Sequence, residues 1–135
     1  MNVFAGEGNN LINTGSGSDV IYAGSGRNYI YAGDGNNSIF TGTGVNNILT
    51  GKGNDLIYVG GSNNTIYSGA GNDTLYATGG NNLINAGIGD DTVFIGGGKN
   101  RIILEAGEGA ATIFGFDVKS DKLRLGESLH CWVYR

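Results

Sequence analysis

Proline is absent from the 135 residues, and cysteine occurs once, as Cys131. A single thiol excludes an intramolecular disulfide. Beside the lone His130 near the C-terminus, Cys131 reads as an inert passenger rather than a nucleophile or a metal ligand. Charge is sparse, with 8 Lys and Arg against 12 Asp and Glu, a net of −4, and no basic patch of the kind nucleic acid requires. No apolar run reaches the roughly 18 residues of a membrane-spanning helix. The opening Met1-Asn2-Val3-Phe4-Ala5-Gly6 has neither the charged nor the apolar region of a cleavable secretion signal. No HExxH, no GxSxG and no nucleophile–base pair is found, so the chain reads as a non-enzyme.

Glycine, by contrast, occurs 27 times, without the three-residue period of collagen. Its spacing organises the chain. Thr50 to Tyr76 reads TGKGNDLIY, VGGSNNTIY and SGAGNDTLY, one nine-residue phrase three times over. Taken from Ala5, eleven such units run without insertion to Ile103. After Leu104-Glu105 a twelfth follows, from Ala106 to Phe114. Asn2-Val3-Phe4 fits the end of a preceding unit, so the chain is expected to begin inside a repeat. A short fixed period predicts a solenoid.

The eighth position is aliphatic throughout: Ile12, Ile21, Ile30, Ile39, Ile48, Ile57, Ile66, Leu75, Ile84, Val93 and Ile102. With mixed neighbours on either side, it predicts a short strand with one inward residue per unit. Glycines at positions two and four predict a tight turn. The expected fold is therefore all-β, a parallel β-roll (β-solenoid) of 18 residues per coil, two nonapeptides each, with a C-terminal capping segment. Residues 1–114 would form the roll and 115–135 the cap and tail. Coils about 4.8 Å apart give a rod of roughly 25–30 Å. One aliphatic per unit buries little apolar surface, so the turns must contribute to stability.

Odd and even units put their turns on opposite edges. On the odd edge the sixth position is always asparagine: Asn10, Asn28, Asn46, Asn64, Asn82 and Asn100. On the even edge it reads Asp19, Asn37, Asp55, Asp73, Asp91 and then Ala111. Stacked aspartates repel unless a hard cation such as Ca²⁺, which takes oxygen ligands, lies between them. Asparagine carries both a donor and an acceptor and can bond to its own kind in a stack. One metal edge and one asparagine edge are expected. A metal-free solenoid with solvated turn acids is the alternative.

These units resemble the glycine-rich calcium-binding nonapeptides of RTX (hemolysin-type) proteins, most closely at TGKGNDLIY, SGAGNDTLY and AGIGDDTVF. The resemblance implies Ca²⁺ between turns of adjacent coils, held by sixth-position carboxylates and turn oxygens. On this chain the implied ligands are Asp55, Asp73 and Asp91, with Gly51, Gly53, Asn54, Gly69, Gly71, Asn72, Gly87, Gly89 and Asp90 around them. Asp19 and Asn37 would supply weaker sites. The odd edge departs from the family pattern at every sixth position, and Ser62 and Thr78 replace glycines there. The resemblance further implies an extracellular or cell-surface location and export through a type I system, although His130 to Arg135 looks unlike such a signal. It makes the chain a calcium-binding structural module, which could be part of a larger parent protein.

The ninth position on the even face is aromatic throughout: Phe4, Tyr22, Phe40, Tyr58, Tyr76, Phe94 and Phe114. Such a column either stabilises the sheet or forms a docking strip for a surface polysaccharide or another roll, which would make the chain an adhesion or assembly module. The third positions, such as Glu7, Ser16, Asp34 and Lys52, are too irregular for an ice-binding face. After Ile113, the residues Phe116, Asp121, Leu123 and Leu125 resemble the segment that follows RTX arrays, and Phe116, Leu123 and Leu125 are expected to fold over the last coil.

Overall fold

Asn28-Tyr29-Ile30-Tyr31-Ala32 alternates buried and exposed side chains without a break. That is the two-residue period of a strand whose one face is covered, and it repeats along the chain. The computed structural model describes residues 1–105, 109–125 and 130–134, the last stretch as backbone alone. Fifteen strands alternate between two sheets. One sheet holds β1 (Asn2–Gly6), β3 (Val20–Ala23), β5 (Ser38–Thr41), β7 (Leu56–Val59), β9 (Thr74–Ala77), β11 (Thr92–Ile95), β13 (Ala110–Phe114) and β15 (His130–Tyr134). The other holds β2 (Leu11–Asn13), β4 (Asn28–Gly33), β6 (Asn46–Thr50), β8 (Thr65–Tyr67), β10 (Leu83–Gly87), β12 (Arg101–Leu104) and β14 (Lys122–Leu125). The named pairs are all parallel, as in a stack of successive coils. Among the described residues no helix is long and apolar enough to cross a membrane.

The register is the repeat itself. Ile39 lies over Ile21, Ile57 over Ile39 and Leu75 over Ile57 in one sheet. In the other, Ile30 pairs Ile12 and Ile48 pairs Ile30. The two aliphatic columns meet between the sheets as one continuous core.

The expectation of one inward residue per unit falls short. Three positions face inward: the sixth, the eighth, and the first of the next unit. Asp55, Ile57 and Val59 are all buried, as are Asn82, Ile84 and Ala86. The two-residue period demands this, because six, eight and ten are alternate positions and ten is the next unit's first. The first position is Ala, Ser or Thr in most units and a larger aliphatic at Val59, Ile95 and Leu104. The sixth is polar yet buried, which decides the chemistry described below.

Outward, the even-face rings stack on one another. Tyr58 and Tyr76 have centroids 4.5 Å apart, Tyr76 and Phe94 4.5 Å, and Phe94 and Phe114 4.7 Å, with ring planes within 17° of parallel. The loosest step is Phe40 to Tyr58 at 6.4 Å.

The C-terminal segment is a further coil rather than a lid. β14 pairs with β12 and β15 with β13 in the same parallel sense. Phe116 is buried and Leu123 packs against the core, but Leu125 is 46% exposed, so it does not fold over the last coil. The Leu104-Glu105 insertion lengthens the step from Thr92 to Thr112 without changing the pairing. Most of the twelfth unit's turn, residues 106–108, lies outside the described residues.

Ile57 is fully buried between Ile39 and Leu75. Ile57→Ala is expected to cost about 2–5 kcal/mol in urea denaturation. A loss under about 1 kcal/mol would mean that the column relaxes around the missing atoms.

Candidate metal centre

The even edge is formed by the turns that lead into β3, β5, β7, β9 and β11. Their sixth-position residues, Asp19, Asn37, Asp55, Asp73 and Asp91, are each no more than 2% exposed. Each side chain reaches one coil back. The Asp19 N–H donates to Asn37 Oδ1 at 3.0 Å, the Asn37 N–H to Asp55 Oδ1 at 2.8 Å, the Asp55 N–H to Asp73 Oδ1 at 2.8 Å and the Asp73 N–H to Asp91 Oδ1 at 2.9 Å. The fifth position reaches the other way. Asn54 Oδ1 accepts the Asn72 N–H, Asn72 Oδ1 the Asp90 N–H and Asp90 Oδ1 the Ala110 N–H. Asn54, Asn72 and Asp90, expected among the ligands, are thus exposed side chains that tie turn to turn.

The turn glycines stand almost atom over atom. A Cβ added at Gly71 would lie 2.1 Å from the Gly53 carbonyl oxygen, and one at Gly89 1.9 Å from that of Gly71. Both residues also have positive φ, +135° and +143°, so no side chain fits. The Gly51 and Gly69 carbonyls accept the N–H groups of Ala70 and Ile88. Among the described residues no donor reaches the Gly53 or Gly71 carbonyl.

The acids themselves are incompletely satisfied. Among the described residues Oδ2 of Asp19, of Asp55 and of Asp73 is buried and accepts no hydrogen bond. The Thr50 and Ser68 hydroxyls lie beside these carboxyls, but a hydroxyl has one proton. Thr50 gives it to the Ser68 carbonyl at 2.6 Å and Ser68 to the Ala86 carbonyl at 2.8 Å. Among the described residues the one ion pair joins the Met1 ammonium to Asp19 Oδ1 at 2.7 Å, so Asp55, Asp73 and Asp91 stack one coil apart without a cationic side chain paired to them. Burial, reinforced by the Asp55 charge, pushes the Asp73 carboxyl up to about 6. Burial, with Asp73 and Asp90 nearby, pushes Asp91 up to about 7. Asp55 is raised by the same cause. Asp19 moves the other way, lowered chiefly by its bond to the N-terminal ammonium.

An orphaned buried oxygen, unbonded glycine carbonyls and a column of uncompensated carboxylates suit a hard divalent cation. Among the described residues no three Asp, Glu, His or Cys side chains converge. Backbone oxygens would have to complete any coordination shell. Asn37 differs from the acids. Its Nδ2 donates to the Gly33 carbonyl at 3.1 Å and the Gly35 carbonyl at 3.0 Å, so both ends of the amide are engaged within the protein.

The odd edge carries a different chain of bonds. Nδ2 of Asn10 donates to Asn28 Oδ1 at 2.8 Å, Asn28 to Asn46 at 2.8 Å, Asn46 to Asn64 at 3.0 Å, Asn64 to Asn82 at 3.0 Å and Asn82 to Asn100 at 3.1 Å. Asn100 then donates to Asp121 Oδ1 at 3.1 Å, and Asp121 Oδ2 accepts the Asp117 N–H. The terminal role of Asp121 was open to sequence reasoning. Asp121, Leu123 and Leu125 take the sixth, eighth and first positions if the phase is counted back from the leucines.

A family model described as RTX calcium-binding nonapeptide repeat matches residues 4–39, 40–75 and 67–102. No curated protein and no solved structure matches the chain significantly.

The raised carboxyls set a pH dependence. With folded values of about 6 and 7 against an ordinary 3.8, the folded chain holds more protons than the unfolded chain between those limits. Stability is therefore full below the ordinary value and falls as pH rises through the folded values. In chelator the melting temperature is expected to drop from about pH 4 to pH 7, and saturating calcium is expected to remove the drop by holding the carboxylates ionised. Melting curves in chelator that are flat or rise across that window would contradict the burial of these charges.

Proposed function

The chain belongs to the RTX calcium-binding nonapeptide repeat family, and from that premise we propose that it is a calcium-binding structural module. Ions lie between successive turns of the even edge, chiefly between Asp55 and Asp73 and between Asp73 and Asp91. The supporting observation is the pair of buried, unpartnered Oδ2 atoms on Asp55 and Asp73. These carboxylates would hold calcium together with turn carbonyls of Gly51, Gly53, Gly69, Gly71, Gly87 and Gly89; the Gly53 and Gly71 carbonyls, which accept no hydrogen bond among the described residues, support this reading. What the ion supplies is charge compensation and cross-linking of coils, not a reaction. The odd edge is closed without metal by its asparagine ladder, so calcium completes a roll that is already held along one side. The module works outside the cell, where calcium modules commonly bind with dissociation constants of roughly 0.1–1 mM. It serves as a scaffold and not as a catalyst.

An adhesive role for the aromatic column asks for ring faces free to receive a sugar or a partner. The rings of Tyr58, Tyr76, Phe94 and Phe114 turn their faces to one another instead. This favours the column as a stabilising stack, worth about 0.5–1.5 kcal/mol per ring pair beyond burial.

Far-UV circular dichroism and thermal melts during a calcium titration, with magnesium as control, test the module. Calcium alone is expected to raise the melting temperature and sharpen the β signal. Asp73→Ala is expected to shift the titration midpoint most, because Asp73 faces both neighbouring acids. A spectrum and melting temperature identical in chelator and calcium would sink the proposal. Replacing Tyr58 and Tyr76 together by Ser is expected to lower the melting temperature while leaving self-association and glycan binding unchanged. Loss of either binding would restore the adhesive reading.

A further inference from the structure

Asparagine and aspartate differ by one atom group, an NH2 in place of an oxygen. On this scaffold the first oxygen does the same work in both. Asn37 Oδ1 accepts the Asp19 N–H, and Asp73 Oδ1 accepts the Asp55 N–H. The second atom of each side chain is therefore directed to the same place, the mouth of its own turn. In the Asn37 turn that place holds Nδ2, bonded to the Gly33 and Gly35 carbonyls. The odd edge repeats the contact: Asn28 Nδ2 lies 3.0 Å from the Gly24 carbonyl, Asn64 Nδ2 3.1 Å from that of Gly60, and Asn100 Nδ2 3.2 Å from that of Gly96. In the Asp55 and Asp73 turns the same place holds Oδ2, which no donor reaches. The Gly53 and Gly71 carbonyls, which match Gly35 in those turns, are equally without a donor among the described residues.

A turn mouth lined by acceptors needs something positive at its centre, and two things can supply it. We propose that the amide nitrogen of a sixth-position asparagine is an internal substitute for a bound cation, so that Asn37 is a self-closed turn that takes no ion of its own. Ion capacity then lies in the acid turns, chiefly the run Asp55–Asp73–Asp91, since Asp19 is paired with the Met1 ammonium, and the choice of Asn or Asp at position six sets, turn by turn, whether the coil is closed by the chain or by calcium. The ion half of this inference rests on the calcium-module reading, whereas the amide half does not.

Three proteins separate the two halves: the wild type, Asp73→Asn and Asn37→Asp. Each is melted in chelator, and its bound calcium is counted by isothermal titration calorimetry. Asp73→Asn is expected to melt about 3 °C or more above the wild type in chelator and to bind fewer ions. Asn37→Asp is expected to melt lower in chelator, to recover in calcium and to bind at least one ion more than the wild type. The proposal is overturned if Asp73→Asn is no more stable than the wild type in chelator. It is overturned equally if Asn37→Asp gains no ion, or stays unfolded in calcium. A wild type that binds no calcium removes the module reading instead, and the chelator melt of Asp73→Asn then decides the amide substitution by itself.

Discussion

In a parallel stack of eighteen-residue coils, the nearest neighbours of a side chain are the residues one coil before and one coil after it, in the same orientation. Every column must therefore be compatible with itself. Isoleucine meets isoleucine by dispersion and burial, and the column from Ile21 to Ile57 satisfies that with no exposed surface. Aromatic rings meet by offset stacking. Asparagine meets asparagine because its amide has a donor at one end and an acceptor at the other. Glycine meets glycine because the backbones approach closer than any Cβ allows, as at Gly71 over Gly53.

Aspartate alone fails the test, since an ionised carboxylate is an acceptor only. The even edge meets part of that failure with backbone N–H groups, each of which feeds the carboxylate one coil ahead. That leaves a second oxygen on each acid and a charge that burial makes costly. The odd edge has no such deficit until its last step, where Asp121 ends the ladder by accepting from both the backbone and the side chain of Asn100. An acid is compatible there because the ladder arrives with its donor end foremost. The same residue type is thus at ease at the end of one column and unsatisfied within the other.

Much of this was legible in the repeat. The aliphatic eighth position and the eighteen-residue phase place the core and sort Asn from Asp by edge. The reading of one inward residue per unit failed because the sixth position is polar, and polarity at a turn suggests solvent. Burial there follows from the strand period, which continues past the apolar centre to Asp55 on one side and Val59 on the other. The fifth position enters the ligand set only through the family resemblance. Asn54 and Asn72 instead spend their oxygens on backbone N–H groups of the next coil. Those bonds could not be read from the repeat, because they depend on which way a side chain leans along the stack.

Fifth-position oxygens lean toward the C-terminal coil and sixth-position oxygens toward the N-terminal coil, and each bonds only to its own counterpart. The roll is therefore modular in whole coils. Duplicating or deleting eighteen residues puts every oxygen back before an equivalent N–H and leaves both columns in phase. A change of nine would set asparagine amides over carboxylates and carry the aromatic column onto the opposite sheet. A chain built on this plan can lengthen or shorten by full turns with its ladders intact, whereas a half-turn change breaks both. The two extra residues after Ile103 leave Leu104 buried in β12 and paired with Leu125, and leave Thr92 paired with Thr112, so the columns stay in phase across them.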